Sequence, residues 1–443
     1  MTMKPAFAEI DLSQLGFWER PLDERMAAFE VLRGREGPTF SNELGLPFVP
    51  VGKGYWALVR HADVSEASRK QNIFSSEPSA GGISDMPGYM ARYFGPLLNM
   101  DDPRHAKMRR IVSHAFSPKI LAKTEDDVRR RTARIIDELI ATGPGDFVSK
   151  VSVRLPIEII CDMLGIPSHD YERVVGWTDV ILGHSDVEHT GVGHGRINRL
   201  TAVRTMITVI RAARRLHHLA ASLGRERMKH PTEDLTTALV NANVDGERLT
   251  ARELGSFFLF LVVAGNETVR TSLSHALKLF TDFPEQRRLL LEDFDARIAG
   301  AVEEIVRFST PIIFQRRNVT QDYSLNGHTY HAGDKVLLCS ASANRDETVF
   351  KDPDVFDITR APNPHVGFGG PGPALLPRRQ PGPQGDRHHA QGALYPHTGH
   401  SRRGRARPDG VRAQQWIQTS PLHIHPLNAD ERCPENSERH VNG

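Results

Sequence analysis

One segment sets the scale of this fold. Thr250 is followed three residues later by Glu253, the spacing of a capping box in which each side chain satisfies a backbone donor at a helix start. Nothing in the sequence stops that helix before Pro284, so a helix is expected to about residue 282, roughly 50 Å long at 1.5 Å per residue. A rod of that length crosses a whole domain, and the rest of the chain has to pack around it. Its middle reads Ala264-Gly265-Asn266-Glu267-Thr268. Glycine inside a helix costs about 1 kcal/mol against alanine, so some close contact on that face should offset it.

Apolar periodicity continues on both sides of the rod. Residues 21–32, 62–70, 103–116, 125–141 and 155–164 read as helices. Residues 184–196, rich in Gly and His, separate two further helical stretches, and Asp245-Gly246 marks a tight turn. Residues 48–51 and 55–59, joined by Gly52-Lys53-Gly54, read as a hairpin, and strands return at 323–325 and 335–338. Residues 76–99 are rich in Gly, Ser and Pro and read as a long loop, which in a compact domain is often functional. The class is mainly α with a minor β region. Near residue 374 the pattern stops: Pro, Gly, Arg and His dominate and neither period survives. A packed core cannot be built from such a stretch, so disorder is expected there. Two units follow, an ordered one over residues 1–373 and a tail over 374–443.

Composition removes several function classes. With 25% charged residues and a net charge of +2, no global field attracts a polyanion. The run of arginines from Arg402 to Arg407 is a short nucleic-acid-like patch, but Arg-rich runs also arise when GC-rich DNA is read out of frame, and no nucleic-acid partner is expected. Cys161, Cys339 and Cys433 are too few and too scattered for a disulfide framework or a zinc site, which fits a reducing cytosol. The first residues contain no apolar signal-peptide core, and the most apolar run, residues 257–264, is far short of a membrane span. A cytoplasmic protein without a membrane anchor is expected.

Several charged pairs carry chemistry. Glu304 and Arg307 stand at i, i+3 on one helix face, where a carboxylate and a guanidinium meet, and the planar arginine fork suits bidentate pairing. His105 and Arg109, four apart behind Asp102-Pro103, share a face. Arg317 and His365 are further bases, and Phe368-Gly369-Gly370 follows His365 closely. Any one of these alone reads as an ordinary surface group.

In their order along the chain these motifs resemble those of the cytochrome P-450 monooxygenases. They are D-P-x-H-x-x-x-R at residues 102–109, A-G-x-[DE]-T at 264–268, E-x-x-R at 304–307 and the start of F-G-x-x-G-x-H-x-C at 368. The resemblance covers roughly residues 15–373. It is most similar to the soluble bacterial branch that hydroxylates methyl-branched lipids and sterol side chains. It implies a heme cofactor, a hydrophobic small-molecule substrate, and electrons from a ferredoxin and ferredoxin reductase. By the same resemblance, His105, Arg109, Arg317 and His365 bind the heme propionates through charge-assisted hydrogen bonds. Small Ala264 and Gly265 let the flat macrocycle approach, and Phe368 and Gly369 belong to the loop on its other face. Thr268 hydrogen-bonds the oxygen at the iron and Glu267 helps feed protons. Glu304, Arg307 and Arg360 form a buried structural cluster.

The family's pattern requires its thiolate cysteine at position 376, and this chain has Leu376. An axial thiolate pushes electron density onto heme iron and favours O–O cleavage, and leucine has no lone pair to give. Reading the back-translated codons one nucleotide later from Ala374 permits H-Y-C-L-G-A-N-L-A-R-K-E, the family's heme loop and the start of the helix behind it, with its cysteine in register with Leu376. One extra nucleotide near residues 372–374 accounts for this; a naturally divergent tail is the alternative. On either account the chain is truncated before the heme-loop cysteine and proximal helix, and as it stands it is expected not to catalyse. Ligation of iron by His388, His389, His397 or His400 would not reproduce thiolate chemistry.

Overall fold

The computed structural model describes residues 10–371 apart from 44–51, 84, 86–87, 96, 144, 184–198 and 245. The tail from 374, with Leu376, Cys433, His388, His389, His397, His400 and the arginine run, lies outside the described residues, as do residues 184–196.

The chain opens with helices α1 (Leu15–Glu19) and α2 (Leu22–Arg33), then strands β1 (Thr39–Ser41) and β2 (Tyr55–Leu58). Helix α3 (His61–Arg69) and strand β3 (Phe74–Ser75) lead to α4 (Gly88–Phe94), α5 (Arg104–Ala115), α6 (Pro118–Thr142), α7 (Arg154–Leu164) and α8 (Tyr171–Gly183). Three more helices, α9 (Arg199–Lys229), α10 (Leu235–Asn241) and α11 (Ala251–Asp282), form the centre. After α12 (Pro284–Glu292) and α13 (Phe294–Ser309) come strands β4 (Gln315–Val319), β5 (Tyr323–Leu325), β6 (His328–Tyr330) and β7 (Lys335–Leu338), then the short α14 (Ser340–Ala343).

The expected rod is α11. Thr250 caps it, its hydroxyl accepting from the Glu253 N–H while the Glu253 carboxylate accepts from the Thr250 N–H at 2.9 Å. Its first half, including Phe257, Phe258, Leu259, Leu261 and Val262, is buried in the largest core cluster, each aromatic stabilising by about 1.5–3 kcal/mol through burial. That cluster also takes residues from α5, α7, α8, α9 and α10. From Val263 to Leu277 the second half is only partly buried, apart from the buried Asn266.

Five strands form a sheet in the order β1-β2-β7-β4-β3, with β2 and β7 parallel and the other pairs antiparallel. Strands β5 and β6 pair separately across Asn326-Gly327, both at positive φ, the geometry of a two-residue hairpin turn. The sheet runs beside α1, α2 and α3. The mainly helical architecture with a minor sheet matches the sequence reading.

Three expectations are corrected. Strand β2 pairs with β1 at residues 39–41 as its antiparallel neighbour; the other arm expected, residues 48–51, falls outside the described residues. The stretch 76–99 is not wholly loop, because α4 forms within it and packs Tyr93 and Phe94 against the main core. Helix α6 begins seven residues before the expected 125, where Ser117 accepts the Ile120 N–H and Pro118 occupies the first turn.

Candidate active site

The site is assembled from the carboxyl half of the chain inward, starting at α13. Glu304 and Arg307 are both fully buried and pair bidentately: Arg307 Nη2 donates to Glu304 Oε1 at 2.7 Å and Nε to Oε2 at 2.8 Å. Arg307 spends its remaining donors on the carbonyls of Asn344, Pro353 and Val355. Arg360 joins through Nε, 3.3 Å from Glu304 Oε1. The Asp357 N–H and the Asn363 amide also donate to Glu304, at 3.0 and 3.1 Å. A buried ion pair is tolerated when every lone pair and proton is engaged, and this one is. The structure therefore brings Glu304, Arg307 and Arg360 together. Asn363 was missed by the sequence reading; a lone Asn after Pro carries no signal of its own.

This cluster holds the segment that leads to residues 365–370. Asn344, fully buried behind α14, accepts the Val366 N–H at 2.7 Å and donates to the Thr310 hydroxyl at 2.8 Å. His365 is buried, with Nε2 3.0 Å from Glu303 Oε2 and Nδ1 accepting the Gly367 N–H at 3.1 Å. Phe368 lies against it, ring centroids 5.6 Å apart. Gly369 sits at φ +95°, where a side chain would be strained, and closes a turn from its N–H to Val366 O at 3.0 Å. A Cβ on Gly367 would stand 2.7 Å from Val306 Cγ1 and 3.0 Å from its backbone oxygen, so the loop is pressed onto α13. Glu303 and Asn344 were not singled out in the sequence. The available signals were the Glu-Glu doublet and the Asn beside Arg345-Asp346.

The cationic groups come from a different quarter. Arg317 stands on β4 and is 2% exposed. Its Nη1 donates to the Arg316 carbonyl at 2.8 Å and Nη2 to Gln315 Oε1 at 3.4 Å, while Nε has no hydrogen-bond partner. Among the described residues no carboxylate pairs with it, and burial pushes its guanidinium down to about 10. Beside it, Ser75 of β3 pairs with Asn318 of β4, and Asp101 accepts from the Ser75 hydroxyl and from the Ser76 N–H at 2.9 Å. That tie brings the start of α5 to the β3–β4 edge. His105 and Arg109 on α5 are both held below their usual pKa, His105 by burial first and then by Arg109, and Arg109 by burial. Asp101 acts electrostatically on both His105 and Arg317. Three cationic or basic groups are thus desolvated near the Asp101-Asp102 pair, Asp101 acting on His105 and Arg317 and Asp102 on His105 and Arg109.

On α11, the Thr268 hydroxyl donates to Ala264 O at 2.9 Å, and Glu267 Oε2 lies 3.5 Å from Arg270 Nη1. A Cβ on Gly265 would meet Ile160 Cδ1 of α7 at 2.9 Å, so the close contact anticipated at this glycine is made with a neighbouring helix. Asn266 is 1% exposed, and its amide oxygen has no hydrogen-bond partner.

A heme fits this arrangement on one side. Its propionates are anionic, and a buried guanidinium with an orphaned donor beside two further bases is suited to receive them. Among the described cysteines, Cys161 and Cys339 are both buried, and burial pushes the Cys339 thiol up to about 12, so neither offers a thiolate. No cluster of three or more His, Cys, Asp and Glu side chains suited to a metal ion occurs among the described residues. Nor is any described helix long and apolar enough to cross a membrane.

Comparisons with known proteins agree with this picture. A profile of the family described as Cytochrome P450 matches residues 201–377. The chain is 44% identical over 369 residues to a methyl-branched lipid omega-hydroxylase of Mycobacterium tuberculosis, covering 82% of this chain and 83% of that one. It is 38% identical over 325 residues to a steroid C26-monooxygenase of Mycolicibacterium smegmatis, covering 72% of each. Among solved structures, a cytochrome P450 of Mycobacterium marinum in complex with pseudoionone superposes with a TM-score of 0.77 at 35% identity, over 93% of this chain and 92% of that one.

Proposed function

This chain belongs to the cytochrome P450 family, and from that premise we propose that its framework serves hydroxylation of a methyl-branched lipid or a steroid-like side chain, with electrons from a ferredoxin and its reductase. Heme is the family's cofactor. Bound through a thiolate, it supplies the oxygen chemistry, in which substrate C–H, dioxygen, two electrons and two protons give alcohol and water. The observation that carries the reading is Arg317, a buried guanidinium with an unused donor beside His105 and Arg109. Those three would hold the propionates of a bound heme through charge-assisted contacts. On α11, Glu267 beside Arg270 and the Thr268 hydroxyl, now donating to Ala264 O, are the groups that would hold protons for the reaction. The loop from His365 to Gly369 gives the approach to the other face. Two kinds of curated relative, named a methyl-branched lipid omega-hydroxylase and a steroid C26-monooxygenase, support the substrate class.

A second reading concerns the chain as it stands. Residues 1–373 are one catalytic domain, and 374–443 are an out-of-frame tail that supplies no sulfur at position 376, where the family places its ligand. Leu376 at the expected ligand position favours it, and so does the end of the family match at residue 377, where the sequence pattern is lost. Resequencing across codons 365–385 tests the frame directly. A carbon monoxide difference spectrum then separates the two readings: a thiolate-type band is expected from the frame-restored protein and not from the chain with Leu376. Turnover of a methyl-branched fatty acid or a steroid by the restored protein, with a ferredoxin and its reductase, tests the substrate. A thiolate band from the Leu376 chain would sink the frame reading, and failure to oxidise either lipid would sink the substrate assignment.

A further inference from the structure

The loop that approaches the macrocycle begins on a histidine whose two ring nitrogens are both engaged by protein. The Gly367 N–H donates to His365 Nδ1 at 3.1 Å, so Nδ1 presents a lone pair and carries no proton. Nε2 lies 3.0 Å from Glu303 Oε2, and a carboxylate at that distance is an acceptor. The single ring proton therefore sits on Nε2 and points at Glu303. The His365 side chain is fully buried, while that of Glu303 is 39% exposed. The carboxylate thus reaches in from the rim and orients a ring that solvent does not touch. A hydrogen bond at one imidazole nitrogen decides what the other can do.

The neighbouring residue does related work on the same segment. Glu304 takes the Asp357 N–H, Arg360 and Asn363, whereas Glu303 takes His365. Consecutive helical residues point about 100° apart, so the two carboxylates grip different parts of one stretch. The stretch runs from residue 357 to 367, and Glu304 holds its first part and Glu303 its last.

We propose that Glu303 is a positioning residue: it locks His365 as the Nε2–H tautomer and, through Nδ1, sets the Gly367 amide and the entry angle of the loop. His365 then acts as the pin of the loop and has no ring proton left for an anion. Propionate charge falls to Arg317, Arg109 and His105. The consequence for propionates rests on the heme reading above, while the tautomer and the Gly367 bond belong to the polypeptide alone.

The test therefore uses the full chain without heme. Imidazole nitrogen spectra read the tautomer of His365, assigned by its loss in His365→Gln, and amide hydrogen exchange reads Gly367. Glu303→Ala is expected to speed Gly367 exchange by about tenfold or more, the scale of one lost charge-assisted hydrogen bond. Glu303→Gln should keep most of the protection, because its amide oxygen still accepts the Nε2 proton. A role in bulk stability alone would instead loosen α13 uniformly and leave the tautomer unchanged. An Nδ1–H tautomer in the parent, unchanged Gly367 exchange in Glu303→Ala, or equal loss in Glu303→Gln would each overturn the proposal. If Glu303→Ala does not fold, the parent tautomer and Glu303→Gln still decide it. None of these readouts contains heme, so their outcome is independent of whether the restored enzyme oxidises a lipid.

Discussion

Two arginines in this molecule are buried to nearly the same depth and treated in opposite ways. Arg307 is 0% exposed, and all three of its guanidinium nitrogens are engaged by Glu304 and the carbonyls of Asn344, Pro353 and Val355. Arg317 is 2% exposed and holds one backbone carbonyl, one long contact to Gln315 and an orphaned Nε. A buried guanidinium is costly unless paired. A closed set of partners identifies a cation that the fold uses for itself; an open one identifies a cation kept for something the polypeptide does not supply. The E-x-x-R arginine is spent within the fold, and the β4 arginine keeps the donor that the proposed propionate would take.

The largest expected effect comes from opening the closed set. Arg307→Ala strands Glu304 as a buried carboxylate and frees the carbonyls that anchor residues 344–355, so a loss of about 3–5 kcal/mol is expected, read as a lower denaturation midpoint or as loss of soluble protein. Arg307→Lys should recover little, because an ammonium cannot make the bidentate pair. A mild effect of Arg307→Ala would remove the distinction drawn between the two sites.

Arg317→Met is expected to behave differently. Without heme its stability should stay within about 1 kcal/mol of the parent, since replacing a buried charge by an apolar chain of similar size is often neutral or better. In the frame-restored protein the same change should weaken heme retention by about tenfold or more, the worth of one charge-assisted contact at 1.4 kcal/mol per decade. Heme transfer to apomyoglobin measures this. A stability loss as large as that of Arg307→Ala would show that Arg317 too is structural.

What the sequence disclosed divides along the same line. Pairs close in sequence were legible: Glu304 with Arg307 at i, i+3, His105 with Arg109 at i, i+4, and the capping box of α11, because helical geometry fixes such neighbours from spacing alone. Arg360 was reached only through family resemblance. Glu303 with His365, 62 residues apart, and Asn344 with Val366, 22 apart, could not be read. Their meeting depends on how the chain returns past α13, and no local period encodes that. The contact at Gly265 was anticipated, but its partner was not: Ile160 on α7 occupies that face. The start of α6 was missed although Ser117-Pro118 spelled a cap, an error of reading and not of information.

Glycines sharpen the contrast at a smaller scale. A Cβ on Gly300 of α13 would stand 2.8 Å from the Ile358 carbonyl oxygen, a backbone atom on the segment that delivers Asp357 and Arg360 to Glu304. Gly300→Ala should therefore cost about 1–2 kcal/mol, the overpacking penalty exceeding the gain in helix propensity. At Gly265 the obstacle is the methyl end of Ile160 at 2.9 Å, which can rotate away. Gly265→Ala should leave stability unchanged or raise it by up to about 1 kcal/mol. Thermal unfolding of the two variants side by side checks the order, and a costlier Gly265→Ala would mean that α11 and α7 are packed as tightly as the Glu304 cluster.

The smallest effect expected is a dependence on pH confined to the open set. Burial, and then Arg109, hold His105 below the ordinary histidine value of 6.5 in the folded chain. The unfolded chain therefore binds more protons between the folded and unfolded values, and stability rises with pH across that interval. The contribution is complete above pH 6.5 and is lost as pH falls from there toward the folded value. His105→Gln should flatten that part of the stability curve. Arg109→Met, by removing one of the two depressing causes, should narrow the window without abolishing it. Denaturant midpoints between pH 7.5 and about 5 resolve both changes. An anion bound among these bases favours protonated His105, so the slope should shrink further when the restored protein carries heme. A slope that survives His105→Gln intact would place the titrating group elsewhere.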